Sequence, residues 1–409
     1  MKLRSLLSLL LLLLTLTLLF TACEEEPSPV PLPTFCETHT WEGWKTKTAP
    51  TCVDGVKTRS CSVCGEVEEA PLPATGIHQY ALGVCGDCGK HQPTEGLKFT
   101  AIKNGEAYAV SGVGTALGAT KIVVPDTHEG KPVTEVASFA FEEQSHIKTI
   151  ILPDTIEKIG DSAFHGCSAL TSFTVPRSLT EVGESAFYAT VKLATVEVDS
   201  IDTWLGITFD YDTAESCPLV YGATLLASGK PLVDLVVPKT VEKISGYAFY
   251  GCTTLQSVRF EDGSVCKRIG WGAFANCTSL SALSLPEGFE TFNTHAFKGC
   301  TSLSTLTLPS TVNTFGADVF RGCTGLKTLV FLPKTIFVPN GVFRDCTALQ
   351  AVYFGGTEAE WAGVEIYPYN NTALESATRY YFSEQKPTEN HASFWHYQNG
   401  TPTVWSVND

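Results

Sequence analysis

The chain has little positive charge, one methionine and no catalytic signature that survives inspection, and each shortage narrows what it can do. Lys plus Arg number 28 against 43 Asp plus Glu, a net charge of -15. Such a surface repels phosphate backbones and anionic lipid, which argues against nucleic acid as a partner. The one Met is the initiator, so there is no adaptable Met-rich groove, and aromatic side chains supply much of the bulky apolar content. Gly160-Asp-Ser162-Ala-Phe164 and Gly183-Glu-Ser185-Ala-Phe187 begin like a nucleophile elbow, but they lack its closing glycine and recur with the chain's own period. Ser228-Gly229-Lys230-Pro231 is close to the end of a phosphate loop, yet Thr224 stands where the first glycine is required and Pro231 where magnesium needs Ser or Thr. Asp210, Asp212 and Glu215 lack the Gly turn and twelfth-position Glu of a calcium loop.

What is present begins with an address. Residues 1–22 carry Lys2 and Arg4, then an unbroken Leu-rich run, then small residues, which is export-signal architecture rather than a spanning helix. Leu19-Phe20-Thr21-Ala22-Cys23 resembles the lipobox of bacterial lipoprotein signals, with Phe20 in the place of the usual Leu. The resemblance implies that Cys23 becomes a lipidated N-terminus holding the protein to a membrane of the cell envelope; cleavage near Ala22 with secretion, or a retained anchor helix, are the other readings. Residues 23–35 then form a Pro-rich, solvated tether.

Residues 36–92 form a Cys- and His-rich module with two CxxCG knuckles, Cys61-Ser-Val-Cys64-Gly65 and Cys85-Gly-Asp-Cys88-Gly89. Paired knuckles with histidines beside them are a zinc-ribbon-like pattern, because four N or S donors close a tetrahedron and the glycine lets backbone N–H groups turn toward the thiolates. The segment reads as internally doubled. His39, Cys52, Cys61 and Cys64 make one ligand set, and His78, Cys85 and Cys88 make a second that Cys36 returns to complete. All eight donors are then used, which leaves no open position for a catalytic zinc. Three disulfides are the competing reading in an exported chain.

From residue 93 to residue 409 the chain repeats itself. Phe297, Phe320 and Phe343 are twenty-three residues apart, as are Cys300, Cys323 and Cys346, and Phe141, Phe164 and Phe187. A unit this short cannot close a core alone and must stack on its neighbours. Pro153, Pro176, Pro238, Pro286 and Pro309 stand eleven residues before their Phe; proline cannot donate to a ladder, so each LxxLxLP is a short strand stopped at its end. The Phe and Cys columns are expected in the core, with the thiols unbridged because equivalent side chains stack in parallel. Residues around Asn104-Gly105 and Asn399-Gly400 read as hairpins capping the two ends.

The phrase at Ile147 to Ala169 matches LxxLxLPxxxxxIGxxAFxGCxx almost unaltered, and the repeat region resembles the BspA-type leucine-rich repeat proteins of bacterial surfaces. That resemblance implies a β-rich solenoid of parallel strands with short 3₁₀ or α turns, and a protein that meets extracellular protein or glycan partners. Two stretches break the period, Ile201 to Lys230 and Glu358 to Phe382, each with a Trp-x-Gly step at Trp204 and Trp361. The tryptophans are expected to plug gaps in the stack, and Tyr211, Tyr367 and Tyr369 on the inserted loops, with Tyr353 on a strand, are the candidate ligand contacts. The expected function is non-enzymatic binding at the cell surface. The alternatives are an envelope-structural protein that assembles with its own kind and, less favoured, an enzyme using the head zinc.

Overall fold

The structure is a computed structural model that describes residues 38–81, 83–210, 214–334 and 336–406. The chain divides into two compact units between Gln92 and Pro93. Cys23, Cys36 and Tyr211 lie outside the described residues, together with the whole leader.

The first unit is built on an antiparallel sheet of β1 (Lys45–Thr48), β2 (Gly55–Ser60) and β3 (Val67–Leu72). The β2–β3 register runs from Gly55↔Leu72 to Ser60↔Val67 without a slip, so the first knuckle forms the connection of a hairpin. A smaller hairpin, β4 (Tyr80–Ala81) with β5 (Val84–Cys85), leads into the second knuckle. Both knuckles fold alike. Cys61 N–H donates to Glu66 O and Gly65 N–H to Cys61 O, and Cys85 N–H donates to Lys90 O and Gly89 N–H to Cys85 O.

The second unit is a solenoid of parallel strands. It opens with the hairpin β6 (Lys98–Ile102) and β7 (Ala107–Gly112), Asn104 taking φ 55° in the turn. β7 pairs in parallel with Lys131–Val136 while antiparallel β6 covers the outer edge. Each coil then gives one short strand to a first sheet and another to a second. In the first sheet Ile150, Phe173, Val196 and Leu225 are in register and point inward. In the second, Ile159, Val182 and Phe209 do the same.

The third side of each coil is the Ala-Phe-x-Gly-Cys turn, and here the Phe column forms a stack. Ring centroids of Phe249, Phe274, Phe297, Phe320 and Phe343 follow one another at 5.1, 5.1, 5.6 and 5.5 Å with interplanar angles of at most 15°, all five fully buried. That spacing is close to the strand separation of about 4.8 Å that sets it. The cysteines lie beside them and find a partner that their geometry selects. Cys167, Cys277, Cys300, Cys323 and Cys346 each donate S–H to the carbonyl of the Phe one coil earlier, Phe141, Phe249, Phe274, Phe297 and Phe320, at 3.1–3.3 Å. All are buried and unbridged, and burial pushes their thiols well above the ordinary range, Cys167 and Cys346 to about 12.

Both interruptions open with a one-turn helix that the sequence pattern did not reveal. Ile201–Leu205 is capped by Ser200, whose side chain accepts from Thr203 N–H, and Glu358–Trp361 carries a capping box between Thr357 and Glu360. Trp204 is fully buried and its indole N–H donates to Ala248 O in the next coil at 3.0 Å. Trp361 packs edge-on against Phe331 and Phe354 under the Arg379 guanidinium. The C-terminal hairpin, Phe394–Gln398 with Thr401–Val404, turns at Asn399 and Gly400.

Candidate metal centre and binding surfaces

Two Cys/His clusters in the first unit have their donor atoms within 4.8 Å of one another: Cys52, His78, Cys85 and Cys88, and His39, Cys61 and Cys64. Cys52 therefore belongs with the second knuckle, which corrects the expectation that it joins His39, Cys61 and Cys64 and that Cys36 serves the second set. The reason is the hairpin. Cys61 follows the last residue of β2 and Cys52 precedes the first, and an extended strand of six residues holds them about 20 Å apart. Thr75 N–H and hydroxyl both donate to Thr51 O, and Ala74 N–H to Asp54 Oδ1. These bonds lay the segment leading to His78 against the Cys52 loop.

The geometry of the clusters suits a tetrahedral ion. Cys52 Sγ lies 3.4 Å from Cys85 Sγ, His78 Nδ1 is 3.3 Å from Cys88 Sγ, and His39 Nδ1 is 3.3 Å from Cys64 Sγ. The edges of a tetrahedron with metal–sulfur bonds of about 2.3 Å and metal–nitrogen bonds of about 2.0 Å are only a few tenths of an ångström longer. His39 turns its other nitrogen, Nε2, to Glu66 Oε2 at 3.1 Å, the outer carboxylate that commonly fixes a metal-ligating imidazole. The Cys61 thiol is drawn down to about 6, chiefly by the Cys64 N–H, and that of Cys85 to about 6, chiefly by the Cys88 N–H. Cys52 is pushed up to about 12 by burial and then by the neighbouring Cys88 and Cys85, so it is the donor whose thiolate most needs a cation beside it.

On the solenoid, Tyr367 and Tyr369 are held out on a rigid loop. Their rings sit 5.6 Å apart, 40% and 65% exposed. The mount is Asn371, a fully buried polar residue that donates to Pro339 O at 2.8 Å and Tyr367 O at 3.2 Å and accepts from Phe343 N–H at 3.3 Å. Asn370 Nδ2 adds a bond to Asn340 Oδ1 at 2.9 Å. Phe337, on the strand paired with Val364–Ile366, is exposed as well. Its signal in the sequence was an aromatic at an outward strand position, which the repeat pattern masked.

Tyr353 behaves differently. Its ring stacks on Tyr380 at 5.2 Å and meets the wholly buried Trp395 edge-on at 5.6 Å, while Trp395 donates its indole N–H to Phe354 O at 2.7 Å. Val330, in register beside Tyr353 and pointing away from the core, is only 1% exposed. The C-terminal hairpin thus seals this part of the strand row, and Tyr353 is half-buried packing more than an open contact. His165 faces Glu142 and Glu143, and His295 faces Asp318 in the following coil.

Parallel coils, inward hydrophobic columns and loops projecting from one period define a leucine-rich repeat solenoid. The chain belongs to the BspA type Leucine rich repeat region family, whose model matches six copies over residues 121–213 and 226–350. Among solved structures it is similar to a leucine-rich repeat protein from Bacteroides ovatus, at 18% identity and TM-score 0.45, over 70% of this chain and 77% of that one. It is also similar to the leucine rich repeat protein of T. pallidum, at 26% identity and TM-score 0.37, over 58% and 91%. A leucine rich cell surface protein from Faecalibacterium prausnitzii follows at 18% identity and TM-score 0.37, over 66% and 96%. No curated protein sequence matches the chain significantly. Among the described residues no helix is long and apolar enough to cross a membrane.

Proposed function

We propose that this chain is a lipid-anchored protein of the bacterial cell surface that recognises an extracellular protein or glycan through its solenoid. The observation that carries the reading is the Tyr367–Tyr369 pair, two exposed rings on a loop pinned by the buried Asn371. Rings fixed before a partner arrives lose little freedom on docking, and aromatic faces suit both sugar rings and apolar side chains. The leader and Cys23 supply the anchor, residues 23–35 the tether. In the first unit Cys52, His78, Cys85 and Cys88 would hold one structural zinc, and His39, Cys61 and Cys64 would hold another together with Cys36, which is thereby reassigned from the set it was first expected to complete. Zinc there would tie a small sheet with few buried side chains into a stable fold.

The test is an array of extracellular-matrix proteins and glycans probed with the full-length chain and with a Tyr367→Ala, Tyr369→Ala variant. Loss of the wild-type signals by at least tenfold in the variant supports the reading; identical profiles reject the loop as the contact.

A further inference from the structure

The stack of coils is not continuous. In the second sheet Thr208–Phe209 ends one run of paired strands and Lys243–Ile244 begins another, and the two are not joined in a ladder. The first insertion lies at this break: the helix Ile201–Leu205 precedes Thr208, and its buried Trp204 donates its indole N–H to Ala248 O in the next coil. On the first-sheet side Lys230–Pro231 doubles back antiparallel on Thr224–Ala227; on the second-sheet side no such strand is present among the described residues. Elsewhere a glycine at one position of the turn donates to the preceding strand: Gly160 to Val136 O, Gly183 to Ile159 O, Gly270 to Ile244 O and Gly316 to Phe292 O. Ser245 stands at that position across the seam, and the bond present there is from Phe209 N–H to the Ser245 hydroxyl at 3.2 Å.

The result is a wedge-shaped cavity of about 420 Å³, closed at Ser245 and open toward Thr208 and Thr240. Leu205, Ile207 and Val241 give it an apolar floor, Thr208 and Thr240 add hydroxyls, and Asp202, Glu242 and Lys243 stand at the rim, two carboxylates against one ammonium. Its two walls are strand edges. Glu242 and Ile244 spend their carbonyls on Lys267 and Gly270 in the next coil, so by the alternation of a parallel strand Lys243 turns its peptide groups toward the cavity. Thr208 and Asp210 donate to Thr180 O and Val182 O, which turns Phe209 the other way, toward the same space.

We infer that this seam is a β-augmentation slot for a short extended peptide segment carrying a Lys or Arg side chain. The Phe209 N–H is already taken by Ser245, so the backbone of such a segment pairs with the Lys243 edge, the apolar floor takes one side chain, and the carboxylates of Asp202 and Glu242 take the cation of its neighbour. A neutral or acidic segment meets the same edge without the ion pairs. The slot is independent of the Tyr367–Tyr369 loop, which belongs to coils more than a hundred residues later in the chain.

The probe is a fluorescein-labelled, end-blocked pentapeptide, Thr-Val-Lys-Val-Thr, titrated by anisotropy into the full-length chain. Three comparison peptides carry Glu for Lys, Leu for Lys, or N-methyl groups on the two valines. Saturable binding is expected for the Lys peptide, weakened at least tenfold by Glu or by N-methylation. Asp202→Asn with Glu242→Gln should remove the preference for Lys over Leu. Thr240→Trp, an exposed substitution that fills the mouth, should abolish binding while leaving the melting temperature within a few degrees, and Lys192→Ala, exposed and away from the slot, should leave binding of the peptide unchanged. Lack of binding by the Lys peptide, equal binding by the N-methylated peptide, or full binding by Thr240→Trp would each overturn the slot.

Discussion

Single residues explain why the repeat tolerates some substitutions and not others. The second residue after each Phe of the column takes a left-handed backbone, with φ 75° at Gly299 and 73° at Gly322, and the positions that lack Gly there are Asn276 at 60°, Asp345 at 61°, Ala189 at 59° and Glu143 at 58°. Asn and Asp reach that region at small cost because their side chains bond locally. Gly316 is constrained for another reason: a Cβ there would lie 2.2 Å from Thr294 N in the preceding coil. Gly316→Ala should therefore force two coils apart and lower the melting temperature, whereas Asp345→Gly should be neutral or slightly stabilising; scanning calorimetry of both variants checks the contrast. Phe274→Ala removes one rung of the stack and should cost about 3–5 kcal/mol, read as a shift in denaturant midpoint. The buried column cysteines, with thiols raised by burial, should resist maleimide in the native protein and label in urea. Rapid native labelling of Cys300 would contradict its placement.

At the scale of elements, the hairpin β2–β3 decides which donors share an ion. If the two clusters are separate, Cys52→Ser should lower bound zinc by one equivalent, and adding His78→Ala should lower it no further. Cys52→Ser combined with Cys61→Ser should remove both, and metal analysis of the purified full-length variants measures this directly. Seven of the candidate donors meet in the two clusters, and the CxxCG spacing pointed to them, but their partition was not legible. Spacing counts residues along the chain, whereas an extended strand carries its two ends far apart, and only the Thr51–Thr75 bonds reveal which end His78 joins. The solenoid was more legible because Phe, Cys and Pro recur at fixed intervals and each recurrence has one physical meaning. Tyr353 is less open than its place in the repeat suggests, for a complementary reason. Its strand position is outward, and a hairpin arriving forty residues later in sequence covers it with Trp395. The seam left only a broken period, which says that something is inserted but not that two strand edges part.

For the molecule as a whole, the proposed function treats a leucine-rich solenoid with a net charge of -15 and an aromatic loop pinned by Asn371 as a surface prepared in advance for a partner. Replacing Cys23 by Ala should release the protein from the membrane fraction and abolish incorporation of an alkyne-tagged fatty acid, with the solenoid still folded. The alternative of assembly with its own kind places copies of this chain, rather than another macromolecule, against the loop. The most direct measurement is photo-crosslinking on intact cells with benzoylphenylalanine in place of Tyr369, compared with the same probe at the exposed Lys192. Recognition of a partner predicts crosslinks from position 369, well above those from position 192, to a protein or glycan other than this chain. Crosslinks only to further copies of the chain, or none above the level at position 192, would contradict it.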